Sequence, residues 1–427
     1  MPLVERLRAN DFLRHNAIYF SGSLLIGALN YLYYPVLGRL MQPTAFGEVQ
    51  TLVSLFLQIG IFLSVLALVS INIIANMKDE VQRNRINLEL EKLALLISGV
   101  LLAASVILGP WLQSYFQFGS PLPFSLLALA VVVTVPFTFR TAYLRGKKQF
   151  SRNSLAFIVG AGSKLILSVA LVAIGLSTAG ALFGIVLAQL LAFTYAARYA
   201  RRYGFTESLR GRLWRMPDMR LIRPELKYAL LVLAGSLAVT VLYSVDIVVV
   251  KHYFDVQTAG LYAGVATVAR ILFFLTASIA QVLMPSIRLQ QSAAENRRIL
   301  IKSLVLLLAI GGSVLAVFCA VPKMVVGILM GESYQTYAHL LPRLSVAIFI
   351  ISVLNLIVTY YMALRYYPAG IVMVAGTAIT YIWMHYSHHS LQAVVDSLLY
   401  GSLTILVLLS LWLAWTRRNV LRVGVLQ

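Results

Sequence analysis

Charge is scarce in this sequence: only 12% of its 427 residues are Asp, Glu, Lys or Arg. A soluble globular chain carries about 25%, so the polar surface that a soluble enzyme of this length needs is missing. Cysteine is rarer still. The single Cys319 lies in an apolar run and excludes a disulfide framework or a cysteine metal cluster. Nucleotide and hydrolase signatures are absent too. There is no G-x-x-x-x-G-K-[ST] phosphate loop, since Gly146-Lys147-Lys148 lacks the upstream glycine and the Ser/Thr, and there is no H-E-x-x-H or G-x-S-x-G. ATP-driven transport by this chain alone and hydrolase chemistry lose support, and no cofactor is expected.

What the sequence has is apolar length. Sixty per cent of it is hydrophobic and its mean hydropathy is +0.84, which reads as a polytopic membrane protein. A membrane span needs about 20 mostly apolar residues. Twelve stretches qualify: 17–37, 49–75, 93–112, 122–143, 153–175, 179–199, 228–250, 261–284, 302–321, 341–363, 368–386 and 397–415. The runs are too long for barrel strands and lack period-two alternation. The basic stretch Met1 to Asn16 precedes a long apolar run without an A-x-A-like site, so it reads as a retained first span.

The 35 basic residues give +20 overall, but their positions argue against nucleic acid. With both termini cytoplasmic, 29 fall in cytoplasmic segments and four (Arg39, Lys251, Lys323 and Arg343) in outer loops. That asymmetry is a positive-inside pattern, and it predicts a multi-pass cell-membrane protein touching anionic inner-leaflet lipid. The most basic segment, 198–227, carries nine Lys or Arg midway along the chain. A shift of 213 residues lays Gly22-Ser23-Leu24 on Gly235-Ser236-Leu237 and Gly47 on Gly260. The expectation is an all-α protein of twelve transmembrane helices. Its parts are a bundle of six at 1–199, a basic linker at 200–227 and a second bundle at 228–427, the bundles being related by an axis along the membrane normal.

Polar residues inside spans are costly and so point to function. A Lys or Arg at a helix centre costs roughly 2.5–3.5 kcal/mol on insertion scales. Lys164, mid-span, shares a helical face with Asn153, Gly160 and Ser168; Arg270 shares one with Thr267, Ser278 and Gln281. One cation per bundle suits a central cavity for an anion, with Lys164, Arg270, Asn30, Gln58, Thr267 and Gln281 as candidate substrate contacts. The alternative for each cation is a structural ion pair. Asp246 is the one carboxylate well inside a span: either a coupling site for a proton or Na⁺, or a neutralising partner for Arg270. His385, His388 and His389 lack a third confirming ligand and read as a solvated loop rather than a metal site.

Several segments resemble the polysaccharide (oligosaccharide-lipid) flippase family of the multidrug/oligosaccharidyl-lipid/polysaccharide exporter superfamily. Leu144-Arg145-Gly146-Lys147-Lys148-Gln149-Phe150 is similar to its cytoplasmic turn after span four. Gly331-Glu332-Ser333-Tyr334 with Ala338 resembles its outer segment before span ten. Leu37-Gly38-Arg39 through Phe46-Gly47 resembles the turn after span one, and Pro285 the proline ending span eight. The resemblance implies two six-helix lobes around a cationic cavity and alternating access. It also implies a polyprenyl-pyrophosphate-linked oligosaccharide as substrate, with polysaccharide assembly enzymes as partners and no enzymatic reaction. Two other readings stay open: a cation-coupled multidrug exporter, and a membrane-embedded glycan polymerase.

Overall fold

The computed structural model describes residues 22, 25–205, 218–287, 291–364, 366 and 368–423, and the backbone alone at 223–232, 281, 284–285 and 413–423. Among the described residues there is no strand, and the chain divides into two compact units, Met1–Ala229 and Leu230–Gln427.

In the first unit, α1 covers 25–40 of the described residues. It is followed by α2 (Pro43–Asn76), α3 (Glu80–Ile107), the short α4 (Gly109–Tyr115), α5 (Leu122–Gly146), α6 (Phe150–Leu171) and α7 (Ser177–Arg202). The helices begin where local chemistry says they should. Asp79 caps α3 by accepting from the N–H groups of Val81 (2.9 Å) and Gln82 (3.1 Å). Between α6 and α7 a single π turn carries Gly175 at φ +95°, a conformation open to glycine and costly for other residues. The chain reverses there: Ser168 donates to the Ala181 carbonyl (2.9 Å), and Gly160 lies against Ala192. The apolar stretch Phe150–Arg202 is 53 residues long, about 80 Å at 1.5 Å per residue, and it is this hairpin that makes it two spans.

The second unit receives the chain partway along α8 (Met219–Tyr253). It continues through α9 (Val256–Ala269), α10 (Ile271–Ser286), α11 (Ala293–Ala320), α12 (Pro322–Met330), a 3₁₀ segment Glu332–Leu340, α13 (Leu341–Ala363), α14 (Pro368–Tyr386) and α15 (Leu391–Val423). A capping box, Ser292 with Glu295, starts α11. The span expected at 261–284 is interrupted at one residue, Arg270 (φ −67°, ψ −11°). Next to the break, the Thr267 hydroxyl bonds back to the Ala263 carbonyl (2.7 Å), a pattern that bends helices.

Ten apolar stretches among the described residues are long enough to cross a membrane, counting the α6–α7 hairpin as one. The described part of α1 covers only part of the first expected span, so the full count of twelve is not established by the described helices. Two expectations change. The loop expected at 76–92 is mostly helix, because α3 starts at Glu80. The linker expected at 200–227 is helical at both ends, since α7 runs to Arg202 and α8 starts at Met219; residues 206–217 lie outside the described residues.

The family-like segments acquire physical reasons. Gly146, ending α5, passes α2 so closely that a Cβ would lie 2.6 Å from the Cβ of Ile74. Gly331 turns the chain with φ +111°, and buried Tyr334 fills the space over Gly264 that a side chain there would occupy. Gly22 meets Ser154 of α6, and its counterpart under the 213-residue shift, Gly235, meets Met362 of α13 and, further off, Gly370 of α14.

Candidate functional site

Lys164 stands mid-way along α6, partly buried, and donates from Nζ to the Oδ1 of Asn30 on α1 at 2.6 Å. The Asn30 amide nitrogen is itself committed to the carbonyl of Ile26, one turn earlier (3.0 Å). The ammonium also sits 4.5 Å from the centroid of the Tyr33 ring and 6.0 Å from that of Tyr34, and these two rings meet edge to face. The ring faces carry negative quadrupoles that attract the cation without neutralising it. Among the described residues Asn30 is the hydrogen-bond partner of Lys164, and no carboxylate pairs with it. One turn on, Ser168 is buried and spent on α7.

Arg270 is held differently. Its Nη2 donates to Asp246 Oδ1 at 2.6 Å and its Nε to the Tyr243 carbonyl at 3.2 Å. The other oxygen of Asp246 accepts from the Tyr262 hydroxyl at 2.7 Å. Arg270 is 6% exposed, and Asp246 and Tyr262 are fully buried. The physical reason is the cost of an uncompensated guanidinium in an apolar interior, which a carboxylate with a second donor offsets. The group is therefore close to neutral, with the guanidinium's Nη1 left without a hydrogen-bond partner. Both oxygens of Asp246 are thus engaged.

Thr267 is buried one turn before Arg270, its hydroxyl used within its own helix. Gln58 is half-buried on α2. The side chain of Gln281 lies outside the described residues. No group of three or more His, Cys, Asp or Glu able to hold a metal occurs among the described residues. His385 instead bonds the Tyr253 hydroxyl, and His388 stacks on the Tyr253 ring.

Sequence reasoning missed a layer of buried charge in the first unit. Arg140, 1% exposed, reaches both oxygens of fully buried Glu91 from Nη1 (2.9 and 2.7 Å). Its guanidinium lies 4.1 Å from the Phe205 ring centroid. Lys92 pairs with Glu89 (2.8 Å), whose other oxygen accepts from the Asp218 backbone N–H (3.0 Å). The available signal was the pair of acidic residues at the head of span three facing Arg140 at the tail of span four.

Long apolar helices in two units, with ionisable groups buried among them and no strand among the described residues, define a polytopic membrane protein. The sequence itself matches the model of the family described as "Polysaccharide biosynthesis protein" over residues 13–289, well over half of the chain, and the chain belongs to that family. Solved structures agree on the fold. An inward-facing multidrug resistance MATE family transporter of the MOP superfamily superposes with a TM-score of 0.73 at 14% identity, covering 95% of this chain and 98% of that one. A MATE structure in complex with MaD3S gives 0.64 at 16% identity, covering 96% and 97%. A MOP superfamily transporter from Pyrococcus furiosus, described as having a binding pocket of reverse polarity that suggests a different function, gives 0.61 at 16% identity, covering 96% of each chain. No curated protein sequence matches. The protein is a membrane transporter of the flippase and exporter type.

Proposed function

We propose that this transporter carries a polyprenyl-pyrophosphate-linked oligosaccharide from the cytoplasmic to the outer leaflet, gripping its phosphates through Lys164. The observation that carries this reading is the environment of Lys164: an ammonium mid-span whose described partners, an amide oxygen and two phenol rings, are all neutral. A charge kept uncompensated at that depth is costly unless a ligand of opposite sign uses it. The family description, polysaccharide biosynthesis, points to the same substrate class. On this reading the chain has no enzymatic step and uses no ATP of its own. Both termini are cytoplasmic, and its partners are anionic inner-leaflet lipids and the enzymes that assemble the polysaccharide.

The multidrug exporters among the similar structures favour a second reading, cation-coupled drug export, with Asp246 as the coupling carboxylate. Against it, a cation at Asp246 must first displace Arg270 or Tyr262.

Reconstitution in vesicles with a fluorescent polyprenyl-pyrophosphate lipid tests the proposal. Removing one partner of a buried charge contact costs about 2–5 kcal/mol, so Lys164→Ala should slow flipping by about thirtyfold or more at unchanged membrane insertion. Lys164→Arg should keep part of it. Flipping by Lys164→Ala at the rate of the unsubstituted protein would falsify the reading.

A further inference from the structure

We propose that Asn30 is a positioning residue for anion recognition: it fixes the Lys164 ammonium through a neutral oxygen, so that the charge is held still without being cancelled. The proposal rests on the reading of Lys164 as the anion-binding group.

Three observations support it. The first is the orientation of the amide. Its nitrogen donates to the Ile26 carbonyl at 3.0 Å, and its oxygen accepts from Lys164 at 2.6 Å. A flipped amide would set donor against donor and strip Ile26 of its extra bond, so the oxygen is the end presented to the ammonium. The second is the choice of chemistry. Aspartate has almost the shape of asparagine and would bind the ammonium by a stronger, charge-assisted bond. A site built only to make a buried lysine tolerable would gain from that carboxylate. The second unit contains such a solution: Arg270 is held by Asp246, and Asp246 by Tyr262. The third comes from the internal repeat. The 213-residue shift that lays Gly22 on Gly235 carries Tyr33 onto Asp246 and Lys164 onto Thr377. Thr377 bonds the Ala238 carbonyl on α8 (3.2 Å), as Lys164 bonds Asn30 on α1. Where the first unit sets an aromatic ring beside a lysine, the repeat thus sets a carboxylate, and the lysine position holds a neutral hydroxyl.

The test uses the full-length protein, inorganic pyrophosphate as the binding probe, and melting temperature in detergent as the fold readout. Asn30→Asp should melt at or above the temperature of the unsubstituted protein while binding pyrophosphate about tenfold more weakly or worse, a shift of about 1.4 kcal/mol. Flipping of the fluorescent polyprenyl-pyrophosphate lipid should fall in parallel. A purely structural Asn30 predicts the same melting behaviour with binding and flipping kept, and that result overturns the proposal. If Asn30→Asp does not fold, Asn30→Ala and Asn30→Ser carry the test. The alanine variant should bind pyrophosphate several-fold more weakly and the serine variant, which restores a neutral acceptor, should recover most of the loss; equal affinity in the alanine variant overturns the proposal. Lys164→Gln separates the two failures. If it loses pyrophosphate binding while Asn30→Asp keeps it, only the role of Asn30 falls. If Lys164→Gln itself binds as the unsubstituted protein does, the anion-binding reading of Lys164 falls, and Asn30's role with it.

Discussion

Two cations of the same kind by sequence prove to be opposites by environment, and substitution should reveal this. Breaking a buried ion pair by removing one partner typically costs 3–5 kcal/mol, because the other is left charged and unpaired. Asp246→Asn and Arg270→Gln should each lower the melting temperature of the detergent-solubilised protein sharply, and the double variant should recover most of the loss. Equal and additive losses would show that the two groups are not coupled. Glu91→Gln should also lower the melting temperature, since it removes the carboxylate charge that Arg140 Nη1 reaches through two hydrogen bonds in the buried interior. Lys164→Gln should instead leave melting unchanged or raise it, because no partner charge is stranded.

Helix ends carry the next level of order. Asp255 caps α9 by accepting from the N–H groups of Gln257 (3.1 Å) and Thr258 (2.9 Å), and loss of such a cap costs about 0.5–2 kcal/mol. The Thr258 side-chain and backbone hydrogen bonds hold the Asp255 carboxyl below the usual aspartate range. Its contribution is therefore present above the unfolded aspartate pKa of about 3.9 and lost as pH falls through the lower folded value. Melting temperatures of the unsubstituted protein and Asp255→Asn should differ near neutral pH and converge in acid. Where apolar length alone defines an element, the sequence shows it: the spans read at 341–363 and 368–386 coincide with α13 and α14. Where charge enters a helix, hydropathy misleads. The start of α3 lies thirteen residues before the expected span, since Arg83, Glu89, Glu91 and Lys92 read as loop although buried pairing makes them core. The helical face of Lys164 was legible from periodicity; its partner was not. Asn30 lies 134 residues away, and nothing in the local pattern of either helix specifies which helix packs against which.

For the whole molecule, the segments that hold 29 of the 35 basic residues should label from one side. In a Cys319→Ala background, Lys148→Cys should react with impermeant maleimide only from the cytoplasm and Gln117→Cys only from outside; reversal of either overturns the assigned orientation. Purified protein in vesicles should hydrolyse no ATP. The contrast between the two mid-span cations also has an electrical consequence. Arg270 with Asp246 contributes almost nothing to a field across the membrane, whereas Lys164 contributes a full elementary charge. On the proposed reading a doubly negative pyrophosphate crosses while the Lys164 ammonium stays with α6, so about two negative charges move outward per cycle, each worth about 2.3 kcal/mol per 100 mV. In a cell that is negative inside, that outward movement of negative charge runs down the voltage. The membrane potential itself then supplies the direction, and dissipating it with a potassium ionophore should slow flipping with no ion gradient needed at Asp246.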